Sequence, residues 1–78
     1  MKRLPIVEVE WVDSTSTGGW RHLDEEAKNT TVVCRSTGYL LVKDGKKVHL
    51  IQNLDDIGKG SDGMIIPRQI VRRIHRLK

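Results

Sequence analysis

Apolar and charged residues alternate near the start of the chain. Val7-Glu8-Val9-Glu10-Trp11 puts Val7, Val9 and Trp11 on one face and Glu8 and Glu10 on the other, the period-two pattern of a half-buried strand. The stretch Asp13 to Gly19 is polar throughout and has no apolar anchor. Its Asp, Ser and Thr side chains favour local bonds to the backbone, so it reads as a loop. From Trp20 to Lys28 the apolar residues Leu23 and Ala27 are four apart, with Asp24, Glu25 and Glu26 between them. That spacing predicts a short helix or turn near residues 21–28. Thr30 to Arg35 is rich in β-branched residues and predicts a strand. Ser36-Thr37-Gly38 interrupts it and Tyr39 to Lys43 resumes it. Gly38 thus marks a bulge or sharp bend in one long strand serving both sides of a barrel. Lys43-Asp44-Gly45-Lys46 between two apolar runs predicts a two-residue hairpin with a type I′ turn, and Val48 to Gln52 is the returning strand. Asp55 to Gly63 reads as a loop and Met64 to Ile66 as a short strand. Pro67 ends that strand with a tight turn or a single 3₁₀ turn. The last segment is ambiguous, because Ile70, Val71, Ile74 and Leu77 have helical spacing while a strand remains open.

With 78 residues the chain is read as one domain spanning 1–78. A core of this size supplies only about 3–5 kcal/mol, so self-association is expected. Cys34 is the single cysteine, and His22, His49 and His75 lie far apart. No internal disulfide can form and no zinc-site spacing occurs, so neither a metal nor another cofactor is expected. Met1-Lys2-Arg3-Leu4-Pro5 lacks the apolar run of a signal peptide, and no segment has the length of a membrane span. The expectation is a soluble cytoplasmic protein with no membrane partner.

Charge changes this picture locally. The net charge is +4, and residues 68–78 carry Arg68, Arg72, Arg73, Arg76 and Lys78 with no acid, whereas Asp24-Glu25-Glu26 is the opposite pole. A basic terminal segment attracts phosphates or forms a solvated face. Catalysis needs a nucleophile, a base and an orienting group. The serines Ser14, Ser16, Ser36 and Ser61, and Cys34, occur in no such setting, so the chain is read as non-enzymatic. Cys34 reads as a small core residue, and His49, between Val48 and Leu50, as a residue of the polar strand face.

The order of elements, ending in Gly63-Met64-Ile65-Ile66-Pro67-Arg68-Gln69-Ile70-Val71, resembles the small SH3-like barrel. It also resembles the Sm-like variant of that barrel, in which a final Ile-x-x-Ile strand returns beside its neighbour and rings form. The fold class implied is mainly β: a small SH3-like/Sm-like barrel of about five strands, with the last segment a strand. Ile70 stands where SH3 domains carry a groove-lining tyrosine; Asn53 and Asp55 follow a strand much as the uridine-binding residues of Sm proteins do. The combination Trp11-x-Asp13, Ser16, Gly19-Trp20, Ser36-x-Gly38-Tyr39-Leu40, Ile66-Pro67 and Ile70 resembles small uncharacterised bacteriophage-encoded proteins over nearly the whole chain. That resemblance implies a phage origin and a place in the host cytoplasm.

Three binding roles are carried forward. The first is an oligomeric barrel that binds and sequesters a nucleotide or nucleotide-like signal, such as a host immune signal. Asp13, Ser16, Trp20, Arg21 and Arg68 are its candidate ligand residues: Trp20 for stacking, Arg21 and Arg68 for phosphate. The second is an Sm-like RNA- or DNA-binding protein using Arg72, Arg73, Arg76 and Lys78. The third is an interaction module that binds a host protein through a strand edge or groove.

Overall fold

A computed structural model describes residues 3–14 and 18–78. Five antiparallel strands form one sheet: β1 (Ile6–Asp13), β2 (Val32–Lys43), β3 (Lys47–Leu54), β4 (Gly60–Pro67) and β5 (Val71–Arg76). Their order across the sheet is β4-β3-β2-β1-β5, so the chain runs as a meander through four strands and the fifth returns to β1. A short helix, α1 (Leu23–Glu26), lies within the β1–β2 connection, and a 3₁₀ turn (Arg68–Ile70) joins β4 to β5. The mainly β fold, its strand number, the helix near residues 21–28 and the turn after Pro67 are as expected; the sheet is a small barrel-like one.

The alternation of β1 does what its pattern demands. Val7 and Val9 are buried, and with Val48, Leu50 and Ile66 they make up the fully buried core, against which Trp11, Leu40, Ile70, Val71 and Ile74 pack. Trp11 satisfies its indole N–H by donating to Ser36 Oγ at 3.0 Å, as a half-buried tryptophan must. Cys34, opposite Trp11, is half-buried. His49 lies opposite Ile65, one residue from buried Val48 and Leu50 on either side, on the outward face as expected.

Three local expectations are corrected, and the ambiguous last segment is decided. First, β2 is the one long strand expected, pairing with β1 and then with β3, but it is not interrupted at Ser36-Thr37-Gly38. Its partner switches at Tyr39, which stands opposite both Ile6 of β1 and Ile51 of β3. The register slip comes two residues after Gly38, between Leu40 and Val42. Gly38 is buried because a Cβ there would meet Gln52 Nε2 at 3.1 Å, the Ile51 carbonyl at 3.1 Å and Leu50 Cβ at 3.3 Å.

Second, the hairpin lies where Asp-Gly predicts, but its turn is not type I′. That turn needs positive φ at both central residues, and neither Asp44 nor Gly45 has it. Instead the Asp44 carboxylate accepts the N–H groups of Lys46 (2.8 Å) and Lys47 (2.9 Å), and the Asp44 N–H donates to the Lys47 carbonyl. These two backbone donors, aided by the Lys47 charge, hold the Asp44 carboxyl below its usual range. A depressed folded-state pKa contributes stability above the unfolded value and loses it as pH falls through the folded one. Asp44→Ala should therefore lower the melting temperature at neutral pH, and the gap to wild type should close in acid, below the ordinary carboxylate range. Melting curves of both proteins from pH 7 down to pH ~2 check this.

Third, β4 extends through Gly60-Ser61-Asp62-Gly63, where a loop is expected. The glycines lie flat against β3: a Cβ on Gly60 would come 2.9 Å from Ile51 Cγ2, and one on Gly63 3.0 Å from His49 Nε2. Asp62 between them has φ 58 and accepts from Asn53 Nδ2 at 3.1 Å. That is a left-handed residue of the type Asp tolerates.

The last segment is a strand, as the barrel resemblance implies, and the helical spacing of Ile70, Val71, Ile74 and Leu77 belongs to a 3₁₀ turn and a bulged strand. Val71 stands opposite Trp11, but Arg73 stands opposite Glu10, so Arg72 is the extra residue of a bulge. In a regular strand Val71 and Ile74, three apart, would face opposite sides; one inserted residue brings both to the core.

Candidate functional site

The return of β5 to β1 places the two ends of the chain side by side. Ile6 N–H donates to the Lys78 carbonyl (2.9 Å), Leu77 and Lys78 N–H donate to the Ile6 carbonyl (2.8 and 3.1 Å), and Leu40 N–H donates to the Pro5 carbonyl (2.8 Å). These bonds hold both ends beyond the regular strands. The turn between β3 and β4 closes over the same end of the sheet. Asp55 Oδ1 accepts from Ile57 N–H (3.1 Å) and Lys59 N–H (2.6 Å), and Gly58 adopts φ +90 to complete it.

Between these segments lies a cleft of about 590 Å³. Leu4, Pro5, Ile6 and Leu54 supply its apolar surface and Tyr39 its aromatic ring; Arg3, Arg76 and Lys78 bring cations, and Asp55 and Asp56 bring carboxylates. None of the three cations forms an ion pair among the described residues. The volume lies within the range of small-molecule sites, which combine apolar surface with a few polar anchors. Cations beside an aromatic ring suit a phosphate attached to a planar group, and carboxylates can accept from hydroxyl or amino groups.

The residues singled out from sequence for nucleotide binding are not gathered into one site. Asp13 ends β1, exposed, and its carboxylate accepts from the Ser14 N–H at 2.9 Å. Ser16 lies outside the described residues, and with it the middle of the expected anion-cradling loop. Trp20 is 105 % exposed. Arg21 is paired with Glu26 at 2.8 Å. Arg68 sits half-buried in the 3₁₀ turn, where its N–H donates to the Lys46 carbonyl at 2.9 Å and its Nη1 is buried without a hydrogen-bond partner.

The basic candidates divide. Arg76 and Lys78 line the cleft. Arg72 is exposed at the bulge, and Arg73 stands opposite Glu10. Glu10 also accepts from Arg35 at 3.1 Å, and Glu8 lies between Thr37 and His75. The outer face of β5, β1 and β2 is therefore a ladder of mixed sign rather than a basic stripe. Sequence reasoning missed Arg3, Tyr39 and Asp56, and named Asp55 only for its likeness to a uridine-binding residue of Sm proteins. The signal that could have found them is the strand order of the barrel, which brings residues near positions 3 and 76 together.

Among the described residues no group of three His, Cys, Asp or Glu side chains converges to hold a metal ion. No helix among them is long and apolar enough to cross a membrane. Comparison with protein-family models, with curated proteins and with solved structures finds no match. The bacteriophage and SH3/Sm resemblances thus rest on the residues quoted for them.

Proposed function

We propose that the chain is a non-enzymatic binding protein that holds a nucleotide or nucleotide-like anion in the cleft between its two ends. The observation that carries this reading is the convergence of Arg3, Arg76 and Lys78 on an apolar surface that includes Tyr39. In this mode the guanidinium groups take phosphate oxygens, Tyr39 takes the face of the base, and Asp56 accepts from sugar hydroxyls. The site differs from the one expected around Trp20 and Arg68, while the ligand class is the same. Given the bacteriophage resemblance, the role is sequestration of a host signalling nucleotide in the host cytoplasm, without turnover.

Calorimetric titration with a panel of mononucleotides, ADP-ribose and cyclic dinucleotides tests this. At least one should bind and be recovered unchanged by chromatography. A hydrogen bond to a charged group contributes about 1.5–3 kcal/mol, so Arg76→Glu should weaken that binding by ~10-fold or more. If no member of the panel binds, or if binding ignores Arg76→Glu and Lys78→Glu, the reading is wrong. Binding of a short single-stranded DNA or RNA, falling steeply with salt, would instead favour the nucleic-acid role of Arg72, Arg73, Arg76 and Lys78. The mixed-sign ladder on β5, β1 and β2 argues against it.

A further inference from the structure

The end of the molecule opposite the cleft carries an unpartnered apolar surface. Residues 18–31 project beyond the ends of β1 and β2. On them Trp20 is fully exposed and Leu23 is 84 % exposed, and at the base Val32 and Val33 are also exposed. Isolated exposed apolar residues are ordinary; here Trp20 and Leu23, three apart, lie on one projection, with Val32 and Val33 exposed at the start of β2. Beside it, between the end of β1 and the start of β5, is a groove of about 360 Å³ with Val12, Ile70 and Val71 in its wall and Asp13, Gln69 and Arg72 beside them. Trp20 of the same chain, being fully exposed, does not fill that groove.

Two whole-molecule quantities say how much surface is waiting for cover. The radius of gyration is 16.5 Å and the long axis 56 Å against 21 Å for the others; a compact chain of this length has a radius near ~11–12 Å. The accessible surface is 6359 Å², roughly 1,500 Å² more than a folded monomer of this mass exposes. A standard interface takes ~800 Å² from each partner, so the excess is enough to form one.

We infer that two copies of this chain clasp one another through these projections. The occupant of each groove is the Trp20–Leu23 tip of the other copy, related by a two-fold axis. Charge selects this partner. The tip presents Asp24 and Glu25, neither of which has an ion pair among the described residues, and the groove presents the cation Arg72 together with Asp13, whose carboxylate already accepts from the Ser14 N–H. One chain carries both halves, so the contact is reciprocal and closes at two copies. The cleft at the far end stays open, and the inference does not depend on what it binds.

Sedimentation velocity of the full chain over a range of concentrations is the test. Wild type should form a reversible dimer. Trp20→Ala should raise its dissociation constant by about 30-fold or more, as loss of a buried aromatic anchor does. The circular dichroism spectrum should stay the same, because Trp20 supports nothing in its own chain. Asp24→Lys and Arg72→Glu should each weaken the dimer, and the double variant should recover it. A wild-type chain that stays monomeric throughout would overturn the inference, as would a dimer indifferent to Trp20→Ala or a charge pair without recovery.

Discussion

Leu50→Ala should unfold the protein at room temperature. Leu50 is fully buried, opposite Leu40 on one side and Met64 on the other, and with Ile66 it is one of the two largest of the five residues that form the buried core. Truncating a buried leucine costs about 2–5 kcal/mol, the lost transfer energy plus the cavity left behind. The whole stability of a domain this small is about 3–5 kcal/mol, so one truncation removes most or all of it. The neighbours cannot close the cavity cheaply: Val48 and Ile66 are each fixed by a β3–β4 register with no slack, and Gly38 brings backbone where a side chain would otherwise fill. Circular dichroism of Leu50→Ala should show loss of the strand signal or a melt beginning near room temperature. Ile65→Ala is the control. Ile65 sits on the same sheet but is 59 % exposed, and its loss should change stability by about 0.5 kcal/mol or less. Equal effects of the two substitutions would mean that the core is not where the structure puts it.

Gly38→Ala should destabilise despite adding only one methyl group. Two effects compete. Alanine restricts the unfolded chain, which stabilises by about 0.4–1 kcal/mol. Against this, the new Cβ meets a backbone carbonyl, a Leu50 methylene and the Gln52 amide at 3.1–3.3 Å, and overpacking of this kind costs about 1–3 kcal/mol. Strain wins, because the Ile51 carbonyl cannot retreat without breaking the β3 ladder. The Gln52 side chain can move, but only by giving up its bond from Nε2 to the Thr37 carbonyl at 2.6 Å. Urea denaturation of Gly38→Ala, Gln52→Ala and the double variant separates the two contacts. Partial recovery in the double variant assigns the strain to the Gln52 amide, and simple additivity assigns it to the Ile51 carbonyl. Gly38→Val, with two more methyl groups against the same carbonyl, should not fold.

Both predictions rest on elements that differ in how far the sequence shows them. The β1 strand is written directly in its alternation, because a side chain's face in a strand depends only on the parity of its position. The hairpin after Lys43 is also local, since Asp44 and Gly45 favour a turn wherever they occur. Its type was decided otherwise: the Asp44 carboxylate bonds two backbone N–H groups, and the turn no longer needs a left-handed residue. The position of the 3₁₀ turn follows from Pro67, which has φ −57 and no N–H to continue the strand.

The site was less legible than the fold. Trp20 and Arg21 stand out as rare or charged residues beside a polar loop, yet the structure leaves Trp20 fully exposed and gives Arg21 to Glu26. Arg76 and Lys78 were visible as cations, but nothing in their own segment says that Arg3 and Tyr39 stand across from them.

What the sequence by itself determined, then, is what one or two turns of chain can determine: strand parity, turn positions, a short acidic helix and the absence of any disulfide. The tertiary structure alone decided three things. Gly60 to Gly63 is a strand because it pairs with β3, Gly60 opposite Leu54 and Gly63 opposite Ile51, with glycine easing the close approach at both ends. Residues 71–76 are a strand with helical spacing because pairing with β1 inserts a bulge at Arg72. Arg3, Tyr39, Arg76 and Lys78 form one cleft because the fifth strand returns to the first. All three depend on pairing between segments distant in sequence, whose register is set by the core they jointly bury and leaves no mark in either segment alone.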